Sequence, residues 1–379
     1  AQQKFVSPSK YLFLLNYGKI YQDEKVLSHV KNTLDVIASS GLNDFIEGGF
    51  YRYTVDDEWK IPHFEKMLYD QAQMISLFSM GYKVFGDQSY KDVVSHTIEF
   101  LNNKMSSTDG LYYAAMDADT DGEEGRYYSY EMDELKIVSE NTDFDLFLSY
   151  YNIDVKNPWE KNRFLLLPNK FNYEKKWIDS NNVSKKEISD LINIWEKNIN
   201  KIKEDRTKPR IDDKIIVSWN ALAIIGLIDA FDAFKNEDYL SLAMSMFKEL
   251  KDNSFRKGQL IHTYKENQFQ EGVLEDYAYV SKASMRLFQA TGTISYFEFS
   301  KKIIDNALEL FNDEQSDLLK YSNNEELFTK VISIDDGVTP SPNSIIAEQL
   351  FNIGHVIFDD EYLDLSDKMV SAVQKIIDG

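Results

Sequence analysis

The residues SWNALAIIGLIDAFDAF (218–234) lead, after three residues, into DYLSLAMSMFKELKD (238–252). The first segment is apolar on nearly every side, as expected of a helix packed on more than one face. The second repeats its apolar residues at three- and four-residue steps and leaves the rest polar, the pattern of a helix with one buried stripe. Together they read as a hairpin in which an inner helix is covered by an outer one.

The same alternation runs through the chain. HFEKMLYDQAQMISLFSMGYKVFG (63–86) precedes YKDVVSHTIEFLNNKM (90–105), and EDYAYVSKASMRLFQATG (275–292) precedes SYFEFSKKIIDNALELF (295–311). SPNSIIAEQLFNIGHVIF (341–358) precedes EYLDLSDKMVSAVQKIID (361–378). VLSHVKNTLDVIASSG (26–41) puts Val26, Val30, Leu34 and Ile37 on one face and ends at Gly41, a natural residue for closing a helix. The more apolar helices begin near Pro8, Pro62, Glu131, Ser218, Glu275 and Ser341, mostly at steps of roughly 55 to 70 residues. VSPSKYLFLLNYG (6–18) and VTPSPNSIIAEQLFNIG (338–354) resemble each other, both with Pro and Ser where a missing N–H is harmless and a hydroxyl can cap. Six such pairs predict an all-α (α/α)6 toroid, with residues 1–379 as a single six-hairpin barrel and a polar insertion near 152–182. An open α-solenoid is the alternative, but its repeats usually run about 34–47 residues.

In such a ring the loops leading into the inner helices gather at one end. Here those loops are FIEGGFYRYTVDDEWKIPHFEK (45–66), DADTDGEEGRYYSYEMDE (117–134), PRIDDKIIVSWNA (209–221), QEGVLEDYAY (270–279) and DDGVTPSPNS (335–344), rich in Gly, Asp, Tyr and Trp. LYYAAM (111–116) and LIHTYK (260–265) read as short strands forming small β-hairpins over the mouth.

Composition excludes several functions. The net charge of −21 and pI near 4.7 repel phosphate backbones and anionic lipid, so neither nucleic acid nor membrane is an expected partner. No apolar run is expected to approach the ~18 residues of a membrane span. With no cysteine, disulfides, thiolate zinc sites and thiol redox chemistry are excluded. Compartment is not readable from this, and the default is cytoplasmic; oligomeric state is not readable either. The 23 Tyr and 24 Phe suit a helical core or a cleft whose rings stack on sugar faces.

DADTDGEEG looks like half of a calcium loop. Counted from Asp117, the twelfth position is Tyr128, which cannot supply the bidentate carboxylate that an EF-hand needs. The loop therefore reads as part of the rim, with no metal and no cofactor.

EGGFYRYTVDDEWKIPHFEKMLYDQA, DADTDGEEGRYYSY, DDKIIVSWNAL, EDYAY and DGVTPSPNS occur in an order that resembles the helical part of the spermatogenesis-associated proteins that carry an N-terminal thioredoxin-like domain. The resemblance covers nearly the whole chain. It implies an (α/α)6 domain related to N-acylglucosamine and cellobiose 2-epimerases and to six-hairpin glycosidases. The thioredoxin-like domain is absent from these residues, so no redox role carries over, and the chain is expected to begin just inside the helical domain. Ala221 and Pro342 stand where the family often has Gly, and Arg210–Ile211 replaces a pair that often includes His.

The rim offers several candidates. His63, after Pro62 at an expected helix start, would be biased toward neutral by the helix dipole and able to take a proton. Arg52 could hold a sugar hydroxyl or carboxylate, or Asp56 or Asp57. Glu65 and Lys66 suggest a buried ion pair, with Lys66 alternatively binding substrate. Trp219 could stack on a sugar and Asn220 bond it, with Tyr53 and Tyr277 adding rings; equally, Trp219 fills the core and Asn220 caps. Asp276 reads as a cap or a carboxylate of the site, and His262 lies on the expected hairpin. A glycosidase would pair Asp119 or Glu124 with Asp276 or Asp213. An epimerase or isomerase would use His63 with His262 or Glu124. The expected ligand is a small-molecule sugar, with a sugar epimerase or isomerase favoured over a glycoside hydrolase and a non-catalytic scaffold. Melting curves recorded in millimolar calcium and in chelator should coincide; a rise with calcium alone would show that DADTDGEEG was misread.

Overall fold

The computed structural model describes residues 3–171, 174–265, 268–323 and 331–378; residues 172 and 173 of the polar stretch lie outside them. The described residues hold fourteen α-helices: α1 (Pro8–Tyr21), α2 (Glu24–Ser39), α3 (Leu68–Phe85), α4 (Gln88–Lys104), α5 (Met132–Val138), α6 (Phe144–Tyr150), α7 (Glu174–Asn181), α8 (Lys185–Glu204), α9 (Val217–Phe234), α10 (Glu237–Ser254), α11 (Leu274–Thr291), α12 (Ile294–Leu310), α13 (Pro342–Ile357) and α14 (Asp360–Asp378). Helices α1, α3, α9, α11 and α13 are inner; α2, α4, α10, α12 and α14 cover them. The fold is the (α/α)6 toroid plan.

Each of these five hairpins turns on two residues. The first has a left-handed backbone and the second starts the outer helix: Gln22–Asp23, Gly86–Asp87, Lys235–Asn236, Gly292–Thr293 and Phe358–Asp359. Asp23, Asp87, Asn236 and Asp359 accept backbone N–H groups from the first turn of the next helix. Those N–H groups have no partner inside the helix, so the side-chain oxygen both satisfies them and fixes where the helix begins.

The third unit departs from the regular order. An inner helix expected from Glu131 would separate α3 from α9, yet α3 packs most extensively on α9. Gly226 permits this approach, because a Cβ there would lie 2.8 Å from the Ala72 carbonyl oxygen and 3.3 Å from Ile75. The segment from Met132 to Glu204 instead gathers around its own core of Phe147, Tyr150, Trp177 and Trp195. Helix α9 also corrects the expectation about apolar runs: over Val217–Phe234 it is long and apolar enough to cross a membrane, but 67% of it is buried within the fold.

Short strands join the loops at one end. Lys66–Met67 pairs with Ala115–Met116, which pairs with Ile211–Asp212. Ile215–Ile216 pairs with Thr263–Tyr264 of the 259–265 strand. The loop before α13 joins them through Gln73 Nε2 donating to the Val338 carbonyl (2.8 Å) and Tyr279 Oη donating to the Pro340 carbonyl (2.5 Å). All five rim loops therefore meet at the same face.

Beneath this rim lies a buried ionic cluster. Lys66 is wholly buried, with Nζ donating to Asp44 Oδ2 (2.7 Å) and the Gly48 carbonyl (2.8 Å) and lying 4.3 Å from the Phe100 ring centre. Lys203 of α8 pairs with Glu47 at 3.1 Å. Burial alone would raise the Asp44 carboxyl, but Lys66 and Lys203 hold it well below the usual range. Removing one member leaves a charge enclosed without its counter-ion. Lys66→Met should therefore destabilise the fold by about 3–5 kcal/mol in a denaturant melt, and adding Asp44→Asn should recover part of that loss.

Candidate functional site

Two clusters of ionisable groups stand at the mouth of the ring. The first is built on the residues leading into α3. These residues are extended, not helical: Pro62–His63 pairs with Tyr53–Thr54, and α3 begins only at Leu68. His63 is therefore not at a helix terminus, and the expected bias toward neutral imidazole does not arise. Its Nδ1 lies 2.6 Å from Glu124 Oε1, its Nε2 lies 3.7 Å from Glu65 Oε2, and Tyr53 stacks on its ring at 4.8 Å. Glu65 and Glu124 raise its pKa above the ordinary value, outweighing burial.

Extended backbone also separates Glu65 from Lys66, since neighbouring side chains point to opposite faces. Lys66 goes inward to Asp44, while Glu65 takes a hydrogen bond from Arg52 Nη1 at 3.0 Å. The expected Glu65–Lys66 pair is thus replaced by two separate pairs. Arg52 holds Glu65 rather than Asp56, whose carboxylate instead accepts N–H groups of its own loop at Glu58, Lys60 and Ile61. His63 and Arg52 keep the Glu65 carboxyl below the usual range. Asp70, in the first turn of α3, has the reverse setting. Its Oδ2 is enclosed with no hydrogen-bond partner, and burial, with the Glu65 charge adding to it, pushes its carboxyl well above the usual range despite Arg52. The Tyr69 hydroxyl beside it is enclosed too.

The second cluster lies where α9 and α11 begin. His262 Nδ1 is 2.9 Å from Asp276 Oδ2, and Asp276 is fully buried. Asp276 also accepts the N–H groups of Ser218 (3.0 Å) and Val273 (2.9 Å), so it is both a helix cap and a partner of His262. Glu275 accepts the Ser218 hydroxyl at 3.0 Å, and burial and Asp276 raise its carboxyl. Burial lowers the His262 pKa, but Asp276 outweighs it and the value ends above the ordinary one. His262, Glu275 and Asp276 offer ligand atoms within 4.8 Å of one another. Those same oxygens already serve Ser218, Val273 and His262.

One aromatic contact links the neighbourhoods of the two clusters. Trp219 packs edge-on against Tyr69, ring centres 4.8 Å apart, and so joins α3 to α9. Tyr69, Ser218 and Glu275 each stand four residues before Gln73, Leu222 and Tyr279, which line a central cavity of about 310 Å³. Four residues is about one helical turn, so Tyr69, Ser218 and Glu275 lie about one turn from that cavity, whose lining includes neither His63 nor His262.

Other expected residues go elsewhere. Asn220 is buried, its amide bonded to both backbone groups of Tyr112 and to the Ile216 carbonyl. Tyr277 is buried, its hydroxyl accepting the Leu260 N–H at 3.0 Å. Asp119 is exposed on a small hairpin opposite Glu124, and Asp213 is exposed and paired with Lys265. Asp70 lies in the EGGFYRYTVDDEWKIPHFEKMLYDQA stretch, where the sequence gives it no role; only its enclosure distinguishes it.

No family model matches the chain. Spermatogenesis-associated protein 20 of Mus musculus is 27% identical over 402 residues, covering 95% of this chain and 51% of that protein. The chain resembles spermatogenesis-associated protein 20. An uncharacterized protein of Caenorhabditis elegans is 29% identical over 373 residues, covering 88% of this chain and 50% of its own length. The chain thus spans about half the length of the curated relatives it matches. Among solved structures, a family 76 glycoside hydrolase from a bovine Bacteroides thetaiotaomicron strain aligns with TM-score 0.55 and 12% identity, covering 94% of this chain and 57% of that one. An unsaturated glucuronyl hydrolase specific for heparin aligns at 0.52 and 11%, covering 92% and 73%. A sugar epimerase from a ruminal bacterium aligns at 0.41 and 14%, covering 93% and 88%. The likenesses to the two hydrolases are in the fold.

A histidine whose pKa is raised by folding stabilises the native state fully below its unfolded value of about 6.5, and that contribution is lost as pH rises through the folded value. Melting temperature should therefore fall as pH rises above about 6.5, and His63→Gln should remove part of the fall. Identical pH profiles for the two proteins would mean that Glu65 and Glu124 do not hold His63 as described.

Proposed function

We propose that the protein is a sugar epimerase or isomerase working at this mouth. The observation that supports the reading is the pair of histidines in the rim, each with a ring nitrogen set against a carboxylate. Such a chemistry removes a proton from the carbon beside a carbonyl and returns it to the same carbon or its neighbour. A histidine fixed in one tautomer is suited to that near neutral pH. His262 donates Nδ1–H to Asp276 and presents Nε2 as the base, and Asp276 steadies the charge that His262 acquires. His63 serves as the second proton carrier, linked to Glu124. Trp219 supplies a ring against which a sugar face can stack.

A hydrolase is the second reading, and one observation favours it. Glu65 and Asp70 are carboxyls pushed in opposite directions, the division of labour that glycoside hydrolysis uses. The products separate the two. Aldoses, ketoses, N-acetylhexosamines, uronic acids and disaccharides would be incubated with the protein in D₂O and followed by NMR. Deuterium at the carbon beside the carbonyl, with a new sugar of the same skeleton, is the expected result, and His262→Asn, which can still donate to Asp276, should slow it by about 100-fold or more. Two smaller sugars would establish the hydrolase, and binding without turnover a scaffold.

A further inference from the structure

We infer that Glu65 and Asp70 form an acid–base pair that opens the ring of a reducing sugar before a histidine acts on it. The inference rests on the sugar reading above and adds the step that reading needs. A closed hemiacetal has no carbonyl and hence no acidic C–H for His63 or His262 to remove. Opening it requires one proton taken from the anomeric hydroxyl and one given to the ring oxygen.

The two carboxyls are set for those opposite tasks. Glu65 accepts a hydrogen bond from Arg52 at 3.0 Å and has His63 Nε2 at 3.7 Å, which together favour its carboxylate form. Asp70 has one oxygen enclosed without a partner, faces the charge of Glu65, and lies beside Tyr69 and Arg52. An ionised carboxylate there would be poorly solvated, so the setting favours the protonated form of Asp70. Arg52 interacts with both carboxyls and fixes Glu65 through Nη1. Helix α3 sets Asp70 one turn before the cavity-lining Gln73 region, and Tyr69 carries the wall across to Trp219. This supplies a stacking face next to the proton donor.

The step balances. Glu65 takes the anomeric O–H proton, and the freed electron pair becomes the C=O bond. The bond between the anomeric carbon and the ring oxygen breaks, and the ring oxygen takes the proton of Asp70. Glu65 is left protonated and Asp70 ionised. Closure of the product ring by the reverse step restores both, so no other reactant is consumed. The substrate class is a reducing sugar in its hemiacetal form, and a glycoside blocked at the anomeric oxygen is not a substrate for this step.

The test reads ring opening separately from epimerisation. Interconversion of anomers would be followed by NMR for α-D-glucose, D-mannose and N-acetyl-D-glucosamine with the wild type, Asp70→Asn and Glu65→Gln. The wild type should speed interconversion of at least one of them above the buffer rate, and each variant should lose about 100-fold or more of that gain. No acceleration by the wild type, or undiminished acceleration by either variant, overturns the inference. Anomer exchange that is accelerated with no deuterium entering carbon sinks the epimerase reading and leaves this step standing. Deuterium exchange that survives Asp70→Asn unchanged does the reverse. Stability gives a readout that needs no sugar. A carboxyl raised by folding stabilises the protein fully below the unfolded value near 4 and less as pH rises toward the folded value, whereas asparagine has no such dependence. Asp70→Asn should therefore melt higher relative to wild type at pH 8 than at pH 4. An equal offset at both pH values would mean that Asp70 does not hold the proton, and would also overturn the inference.

Discussion

A two-residue turn governs this architecture. A left-handed residue followed by a capping one reverses the chain between inner and outer helix five times, at 22–23, 86–87, 235–236, 292–293 and 358–359. Three of the five left-handed positions are Gln22, Lys235 and Phe358, where a Cβ is strained and the helix ends nonetheless. Turns this short leave no choice about direction. Each outer helix returns antiparallel along its partner, so the loop that follows lies at the starting end. Every inner helix therefore begins at one face, and the long loops, which carry the candidate site residues, are gathered there by the brevity of the turns at the other.

Gathering the loops does not by itself give a site; the extended backbone within them does. Between Pro62 and Met67 the chain alternates, and consecutive residues take opposite fates. Phe64 and Lys66 go into the interior, Lys66 to Asp44 and the ring of Phe100. His63 and Glu65 face the opening with Arg52 and Glu124. The buried cation anchors the same short segment whose other face carries the polar cluster. A single ion pair below the rim thus sets the position of the groups above it.

Much of this was legible in the sequence. The apolar and amphipathic alternation is the signature of the hairpins, whereas the caps Asp23, Asp87 and Asn236 emerge only from the structure. The rim loops are recognisable from their Gly, Asp, Tyr and Trp content, and His63, Glu124, His262 and Asp276 lie in those loops or on the adjoining hairpin. What sequence could not give was register. Whether PHFEK is helix or strand depends on Tyr53, Met116 and Ile211, up to about 150 residues away in the chain. The same long-range pairing decided that Glu65 and Lys66 part company. The third hairpin failed for another reason. Periodicity shows that the 132–204 segment has an apolar face, but Gly226 lets α3 meet α9 directly and that face packs on itself.

That direct meeting has a functional consequence. With no helix between them, α3 and α9 bring Tyr69 and Trp219 edge to face, and the two ionisable clusters become neighbours on one wall. Their carboxyls are chemically alike and differ only in surroundings. Glu65 has Arg52 and His63 beside it, Asp276 has two N–H donors and an imidazole, and Asp70 has an enclosed Oδ2 with no hydrogen-bond partner. Environment alone therefore favours the protonated form of Asp70 and the ionised form of Glu65. An excess of negative charge over the whole chain would otherwise push every carboxyl the same way. The rim escapes that uniformity because each acid is buried to a different depth beside a different partner, and this is what allows acid and base to coexist across a single opening.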